Sequence, residues 1–310
     1  MLPEAALTSP NADTPVDLSE KQPDIAIIAP GLLGASLGMA SRKLNICGRI
    51  HVWARRQETR DLCRSLDWCD HVHEAIGEAV VEADLIWVCA PVCAIARLIH
   101  LMAPHLKQGA IVSDVGSTKS RLVPQCEKAI GERGIFVGSH PMAGSEKSGL
   151  EHAHADLFEN RPCFITPGEQ TPEVALQTVE TYWKSLGMKV SRISPTEHDT
   201  IVSYISHLPH LVASSLASML SETGQPHWKS FIGTGLLDTT RIASGNVGMW
   251  KDIIEHNREE IIPALGSMIA ALEHLRVHIE NGHSDALVEA LEQGKRYRDS
   301  IDQEQKYAGE

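Results

Sequence analysis

Asp24-Ile25-Ala26-Ile27-Ile28-Ala29-Pro30-Gly31-Leu32-Leu33-Gly34-Ala35-Ser36-Leu37-Gly38 begins as an apolar, β-branched run, breaks at Pro30-Gly31 and continues in helix-forming residues. That order reads as strand, glycine turn, helix, the opening of a dinucleotide-binding unit in which phosphates rest on a helix N-terminus. Gly31 would let the backbone approach a pyrophosphate. Leu32 and Leu33 would offer N–H groups from the first helical turn, and Gly34 would let the helix pack against its strand. The first glycine of the usual fingerprint is replaced by Ala29, which predicts a tighter phosphate turn.

One helix length later, Arg49-Ile50-His51-Val52-Trp53-Ala54 reads as a second strand that closes a βαβ unit, and a helix is expected over residues 58–66. Asp84-Leu85-Ile86-Trp87-Val88-Cys89-Ala90-Pro91 and Ala110-Ile111-Val112-Ser113-Asp114-Val115-Gly116-Ser117-Thr118-Lys119 are further strands running into turn residues. In a doubly wound parallel sheet, ligands bind beyond the carboxyl ends of strands. Ala90, Pro91 and Ser117 therefore fall where a nicotinamide and its substrate would meet. The acidic residue that usually binds the ribose hydroxyls at the end of the second strand is replaced by Ala54, followed by Arg55 and Arg56. Two cations there predict NADP ahead of NAD, because arginine matches a 2′-phosphate in charge and shape. The competing reading is a solvated basic loop with Glu58 supplying the ribose contact.

The segment Phe136-Val137-Gly138-Ser139-His140-Pro141-Met142-Ala143-Gly144-Ser145-Glu146-Lys147-Ser148-Gly149 concentrates a histidine, a carboxylate, an ammonium and three hydroxyls in little helical character. It is expected to be a loop at the mouth of the sheet, with His140 able to transfer protons near neutral pH. The alternative is a Gly/Ser-rich turn whose histidine is a cap. Cys163-Phe164-Ile165-Thr166-Pro167 and Lys189-Val190-Ser191-Arg192-Ile193 read as closing strands around a helix over residues 172–186. From Pro195 the periodicity is helical. The expected organisation is a mobile tail over residues 1–22, a Rossmann-type, doubly wound and mostly parallel α/β domain over 23–194, and an all-helical substrate and dimerisation domain over 195–310. The apolar content of residues 261–272 predicts a homodimer.

Composition narrows the partners. With 310 residues, 43% hydrophobic content and a net charge of -12, the chain can build a sizeable core and lacks the basic surface that nucleic acid or anionic membranes require. Small molecules are the expected partners. Seven scattered cysteines without a CxxC pair, no metal-ligand cluster and no secretory signal point to a reducing, cytoplasmic setting. The uncharged run over residues 200–221 contains His207, Pro209 and His210 and is expected to be a buried helix kinked near the proline, not a membrane span.

With these motifs in hand, the chain resembles the prephenate and arogenate dehydrogenases of tyrosine biosynthesis over residues 24–257. The turn at residues 29–37, Asp114-Val115-Gly116-Ser117-Thr118-Lys119 and Ser139-His140-Pro141-Met142-Ala143-Gly144-Ser145-Glu146 carry the likeness. So do His198-Asp199 with Ser206-His207-Leu208-Pro209-His210, and Asp238-Thr239-Thr240-Arg241-Ile242-Ala243-Ser244-Gly245. The resemblance implies NAD(P)-dependent oxidative decarboxylation, with His140 as proton acceptor and Ser117 hydrogen-bonded near it. It further implies Arg241 on a substrate carboxylate, Glu146 in the gate and hydrogen-bond network, and His198, Asp199 and His207 as second-tier positioning members. Arg241, Glu146, His198 and His207 are thus the substrate-binding set; each reads alternatively as a buried polar residue that has found partners. Two other readings compete. A β-hydroxyacid dehydrogenase or imine reductase would call for a helical-domain lysine, and residues 203–220 contain none. A non-catalytic dinucleotide-sensing dimer would be free to lose His140, Ser117 and Arg241.

Overall fold

A computed structural model describes residues 22–144 and 149–307. The expected tail, but for Gln22, lies outside the described residues, as does Glu146. The described chain forms two compact units, one ending at Arg258 and one beginning at Glu259, and each is taken by itself.

The first unit is built on eight strands: β1 (Ile25–Ile28), β2 (Ile50–Trp53), β3 (His71–His73), β4 (Leu85–Val88), β5 (Ala110–Asp114), β6 (Gly134–Pro141), β7 (Pro162–Thr166) and β8 (Lys189–Arg192). Their order in the sheet is β3-β2-β1-β4-β5-β6-β7-β8. The pairing from β3 through β6 is parallel, β6 and β7 run antiparallel, and β7 and β8 are parallel. The central strands are apolar throughout because both faces are covered. Ile25, Ile27, Leu85 and Trp87 enter one core cluster, while Ala26, Ile28, Ile86 and Val88 enter the other. On the first face α1 (Leu32–Leu44) and α6 (Glu173–Ser185) contribute, and Trp87 packs edge-on to Trp183 with ring centroids 4.9 Å apart. On the second face lie α3 (Ile76–Val80), α4 (Val92–Met102) and α5 (Leu122–Ile130). The remaining α/β helix, α2 (Gln57–Arg64), follows β2.

The chain reverses direction across the sheet between β1 and β4, so the crevice beyond Ile28 and Val88 is the topological switch point. The glycine turn lies there. Ala29 adopts φ 61°, a left-handed conformation that glycine takes freely and that costs an L-residue about 1–2 kcal/mol. Its N–H donates to the Trp53 carbonyl at 2.8 Å, which holds the strained residue in place. The replacement of glycine thus appears as strain at Ala29.

After β8 the unit becomes helical: α7 (Pro195–Val202), a π-helical turn (Ser203–His207), α8 (Leu208–Thr223), α9 (Thr234–Thr240), a 3-10 turn (Arg241–Ser244) and α10 (Val247–His256). The run expected as one buried, kinked helix is interrupted by the π turn, just ahead of Pro209, which has no N–H to give to the helix. It is buried along one side only: Val202, Ser203, His207, His210 and Ala213 are covered, whereas Tyr204, Ile205 and Met219 are exposed.

The second unit comprises the rest of α11 (Arg258–Glu280), which starts at the last residue of the first unit, together with α12 (Ser284–Tyr307). Ile262, Leu265, Ile269 and Leu272 recur at helical spacing on α11 and are all exposed, as are Val288 and Leu291 on α12. Among the described residues no helix is long and apolar enough to cross a membrane.

Candidate active site

The expected loop at residues 136–149 is corrected in its first part: Ser139, His140 and Pro141 belong to β6. The last residue of β6 in register with β5 is Val137, opposite Ser113. From Gly138 onward the strand pairs with β7 instead, placing His140 opposite Phe164. His140 therefore stands past the carboxyl end of the parallel sheet while keeping the rigidity of a strand. The step is stitched to β5 by side chains. Ser113 Oγ donates to the Val137 carbonyl at 2.6 Å and lies 3.0 Å from Ser139 Oγ, and the Ser139 N–H donates to Asp114 Oδ1 at 3.1 Å.

From His140 a chain of hydrogen bonds runs inward. His140 Nδ1 is 2.8 Å from His198 Nε2, and His198 Nδ1 is 2.7 Å from Asp199 Oδ1. Asp199 also accepts the Lys119 N–H at 2.7 Å, the Ser120 N–H at 2.8 Å and the Ser120 hydroxyl at 2.5 Å. These contacts fix the tautomers. An ionised carboxylate only accepts, so His198 carries its proton on Nδ1 and presents a bare Nε2. His140 must then donate from Nδ1, which leaves a lone pair on Nε2. The arrangement is that of an oriented general base: Asp199 orients His198, and His198 orients His140.

Electrostatics keep that lone pair available. Burial holds His140 well below the ordinary imidazole range, reinforced by His198, Lys119 and His207. His198 is lowered by burial against the opposing hydrogen bond of Asp199. Burial pushes the Asp199 carboxyl up, but the bonds from His198 and Ser120 outweigh it and hold the group below its usual value. The imidazoles are thus neutral and the carboxylate ionised near neutral pH.

His207, at the end of the π turn, is joined to the same network. Asn257 Nδ2 donates to the Asp199 carbonyl at 2.9 Å and to His207 Nδ1 at 3.1 Å. His207 accepts at Nδ1, so its proton is on Nε2, a buried atom without a hydrogen-bond partner among the described residues. Burial first, and neighbouring histidines after it, lower His207 to about 4. As pH falls through about 6.5 the unfolded chain takes up a proton that the folded His207 refuses until about 4, so stability is lost across that window. The expected loss from this residue is about 3 kcal/mol. In urea unfolding at a series of pH values, His207→Asn, which keeps an acceptor for Asn257, should flatten the decline. An unchanged slope would show that other groups carry it.

The remaining expected residues fall around this base and the switch-point crevice. Ser117 is partly exposed in the loop after β5, and the described hydrogen bond of His140 runs to His198. Gly31 caps α1, and a Cβ built on it would meet nothing within 4 Å, so the turn is open toward the crevice. A Cβ on Gly34 would lie 3.0 Å from the Cys89 side chain and 3.1 Å from Ile27, the close helix-to-strand approach expected of it. Leu32 and Leu33 form the first turn of α1, and Ala90 and Pro91 join β4 to α4. Arg55 and Arg56 are exposed past β2, in a turn held by Arg60, whose Nη1 donates to the Ala54 carbonyl at 2.7 Å. An open glycine turn at a helix N-terminus with two cations flanking the second strand fits a dinucleotide. Arg241 opens the exposed 3-10 turn that packs on α8. Near it, His210 stacks on Trp250 with centroids 3.6 Å apart. Sequence reasoning missed Asn257, which no local pattern marks, and the parts played by Asp114 and Lys119, although both stand in a quoted motif.

Comparisons agree with this fold. A family model described as the nucleotide-binding domain of prephenate dehydrogenase matches residues 37–192, and one described as its dimerization domain matches residues 194–293. The chain is 33% identical over 278 residues to the cyclohexadienyl dehydrogenase of Zymomonas mobilis, covering 88% of this chain and 94% of that protein. The structure is similar to that of Aquifex aeolicus prephenate dehydrogenase in complex with hydroxyphenyl propionate and NAD+. The TM-score is 0.86 at 30% identity, with 91% of this chain and 99% of that one covered. Synechocystis arogenate dehydrogenase superposes with a TM-score of 0.77 at 26% identity, over 90% and 99% of the two chains.

Proposed function

The chain belongs to the prephenate dehydrogenase family, and from that premise we propose an assignment of its substrate contacts, its cofactor preference and its assembly. It is an enzyme that carries out NAD(P)-dependent oxidative decarboxylation of prephenate, arogenate or both in tyrosine biosynthesis. Family membership sets aside the β-hydroxyacid dehydrogenase, imine reductase and non-catalytic sensor readings. In the reaction a hydride leaves the ring carbon that bears the hydroxyl, the ring carboxylate departs as carbon dioxide, and its bonding electrons complete the aromatic ring.

The observation that carries the residue assignment is the chain from Asp199 through His198 to His140, which leaves the His140 Nε2 lone pair free. His140 accepts the hydroxyl proton as the hydride departs. His198 and Asp199 hold it in the productive tautomer, and Ser117, in the loop after β5, is placed in the same set. Arg241 takes a substrate carboxylate, with Glu146, His198 and His207 completing the pocket. The nicotinamide, when bound, supplies the hydride acceptor; Gly31, Leu32 and Leu33 would hold the cofactor phosphates, Gly34 would let α1 lie close enough to its strand to present them, and Ala90 and Pro91 would border the ring. The functional division falls near Ser194, with the cofactor-binding residues before it and Arg241, His198 and His207 of the substrate set after it.

Initial rates with prephenate and with arogenate, each with NAD and NADP, test this assignment. Arg241→Ala should raise the apparent KM about tenfold or more, since a hydrogen-bonded charge contact is worth roughly 1.5–3 kcal/mol. An unchanged KM would remove Arg241 from the pocket.

NADP is the proposed preferred cofactor, with NAD also accepted, because Arg55 and Arg56 are exposed past β2, where this fold would bring a 2′-phosphate, and neither side chain has a hydrogen-bond or ion-pair partner among the described residues. Arg55→Ala should cut kcat/KM for NADP by roughly tenfold while sparing NAD. A wild-type kcat/KM higher with NAD than with NADP would refute the preference. The assembly is a homodimer that covers the apolar stripe on α11, and sedimentation of a monomer at micromolar concentration would contradict it.

A further inference from the structure

Both ends of the His140–His198–Asp199 chain are fastened to one buried ion pair. Lys119 and Asp114 are each 0% exposed, and Lys119 Nζ donates to Asp114 Oδ2. The same Asp114 oxygen accepts the Gly116 N–H at 2.7 Å, and its Oδ1 accepts the N–H of Ser139, the residue before His140. Ser139 Oγ returns a bond to the Asp114 carbonyl. At the other end, the Lys119 N–H donates to Asp199 Oδ1. Asp114, the last residue of β5, and Lys119, in the loop that follows, thus set the position of the base and of the carboxylate that orients it.

Stability alone explains the pair poorly. Burying two charges costs much of what their attraction returns, and apolar residues of like volume commonly serve a core as well or better. Nor does the assigned reaction consume either group.

We propose that Lys119 is a positioning residue for the dehydrogenation: together with Asp114 it fixes the separation of His140 from Asp199 and keeps a permanent cation behind the base. The inference rests on His140 being the proton acceptor. His198 of α7, Lys119 from the β5 end and His207 from the π turn act on His140 directly, while Asp199 and Asp114 act on its partner His198. Cys163 of β7, a thiol pushed up by burial, also lies beside it. With the histidines neutral, Lys119 is the fixed positive charge of this set. It opposes protonation of His140 and of His198 alike before substrate arrives.

The test compares wild type with Lys119→Met and with the neutral double variant Asp114→Asn/Lys119→Met, which leaves no unpaired buried charge if the single variant fails to fold. In full-length enzyme with saturating cofactor, the acid limb of kcat/KM should move to higher pH. At a fixed pH on the acid limb, activity relative to that at about pH 8 should fall roughly tenfold for each pH unit the limb moves. The His140 imidazole, followed by NMR in histidine-labelled protein and assigned with His140→Asn, should titrate at correspondingly higher pH. A folded variant with neither the limb nor the titration displaced would overturn the proposal. Loss of folding in both variants would assign the pair to stability and overturn it equally. The NMR titration reports on the field of Lys119 even if His140→Asn retains turnover, so failure of the base assignment is distinguishable from failure of this one.

Discussion

His140→Asn is expected to lower turnover by roughly two to four orders of magnitude, the usual span for loss of a positioned general base. Asparagine can still donate to His198 Nε2 from about the position of Nδ1, so the relay and β6 should persist. What disappears is the Nε2 lone pair. Substrate and cofactor affinity should change much less than kcat, because the lost interaction is made with a proton that moves only as the hydride leaves. Near-normal turnover in this variant would show that the hydroxyl proton goes elsewhere.

Asp199→Asn should be nearly as damaging although Asp199 touches no reacting atom. Its two carboxylate oxygens accept from His198, from the Lys119 and Ser120 N–H groups and from the Ser120 hydroxyl. An amide has one oxygen and one NH2 and must set the NH2 against a donor. If the NH2 faces His198, that ring is driven to the other tautomer, His198 Nε2–H then points at His140 Nδ1, and the His140 proton is forced onto Nε2. The base is then occupied. A loss of roughly 10²- to 10⁴-fold in kcat is expected, with a smaller effect on KM. Asp199→Asn with wild-type kcat and an unaltered pH profile would reduce the relay to a packing feature. The two variants should also be far from additive when combined, since they disable one unit.

The sheet was readable because both of its faces are buried. Ile25, Ile27, Leu85 and Trp87 serve one core and their neighbours the other, which makes each central strand a continuous apolar word bounded by turn residues. Strand β3 escaped for the converse reason: His71-Val72-His73 lies at the sheet edge, partly exposed and without an apolar run. His140 reads from the sequence as a candidate base in a loop, because what makes residues 138–141 a strand is pairing with Cys163 to Thr166, a partner more than twenty residues away. The individual histidines were likewise visible, whereas the 58-residue gap between His140 and His198 is closed by the fold alone. Ala29 shows a third limit. Its identity was plain in the sequence, but its consequence, a left-handed backbone retained at a cost, required the dihedral angle.

The most direct test of the central claim is the joint stoichiometry of the reaction: carbon dioxide released and nicotinamide reduced, measured together in one vessel with prephenate or arogenate as sole substrate. Equal amounts, from at least one of the two substrates, are predicted for wild type, with both signals collapsing together in His140→Asn. Reduction without carbon dioxide, or no reduction with either substrate and either cofactor, would contradict the account.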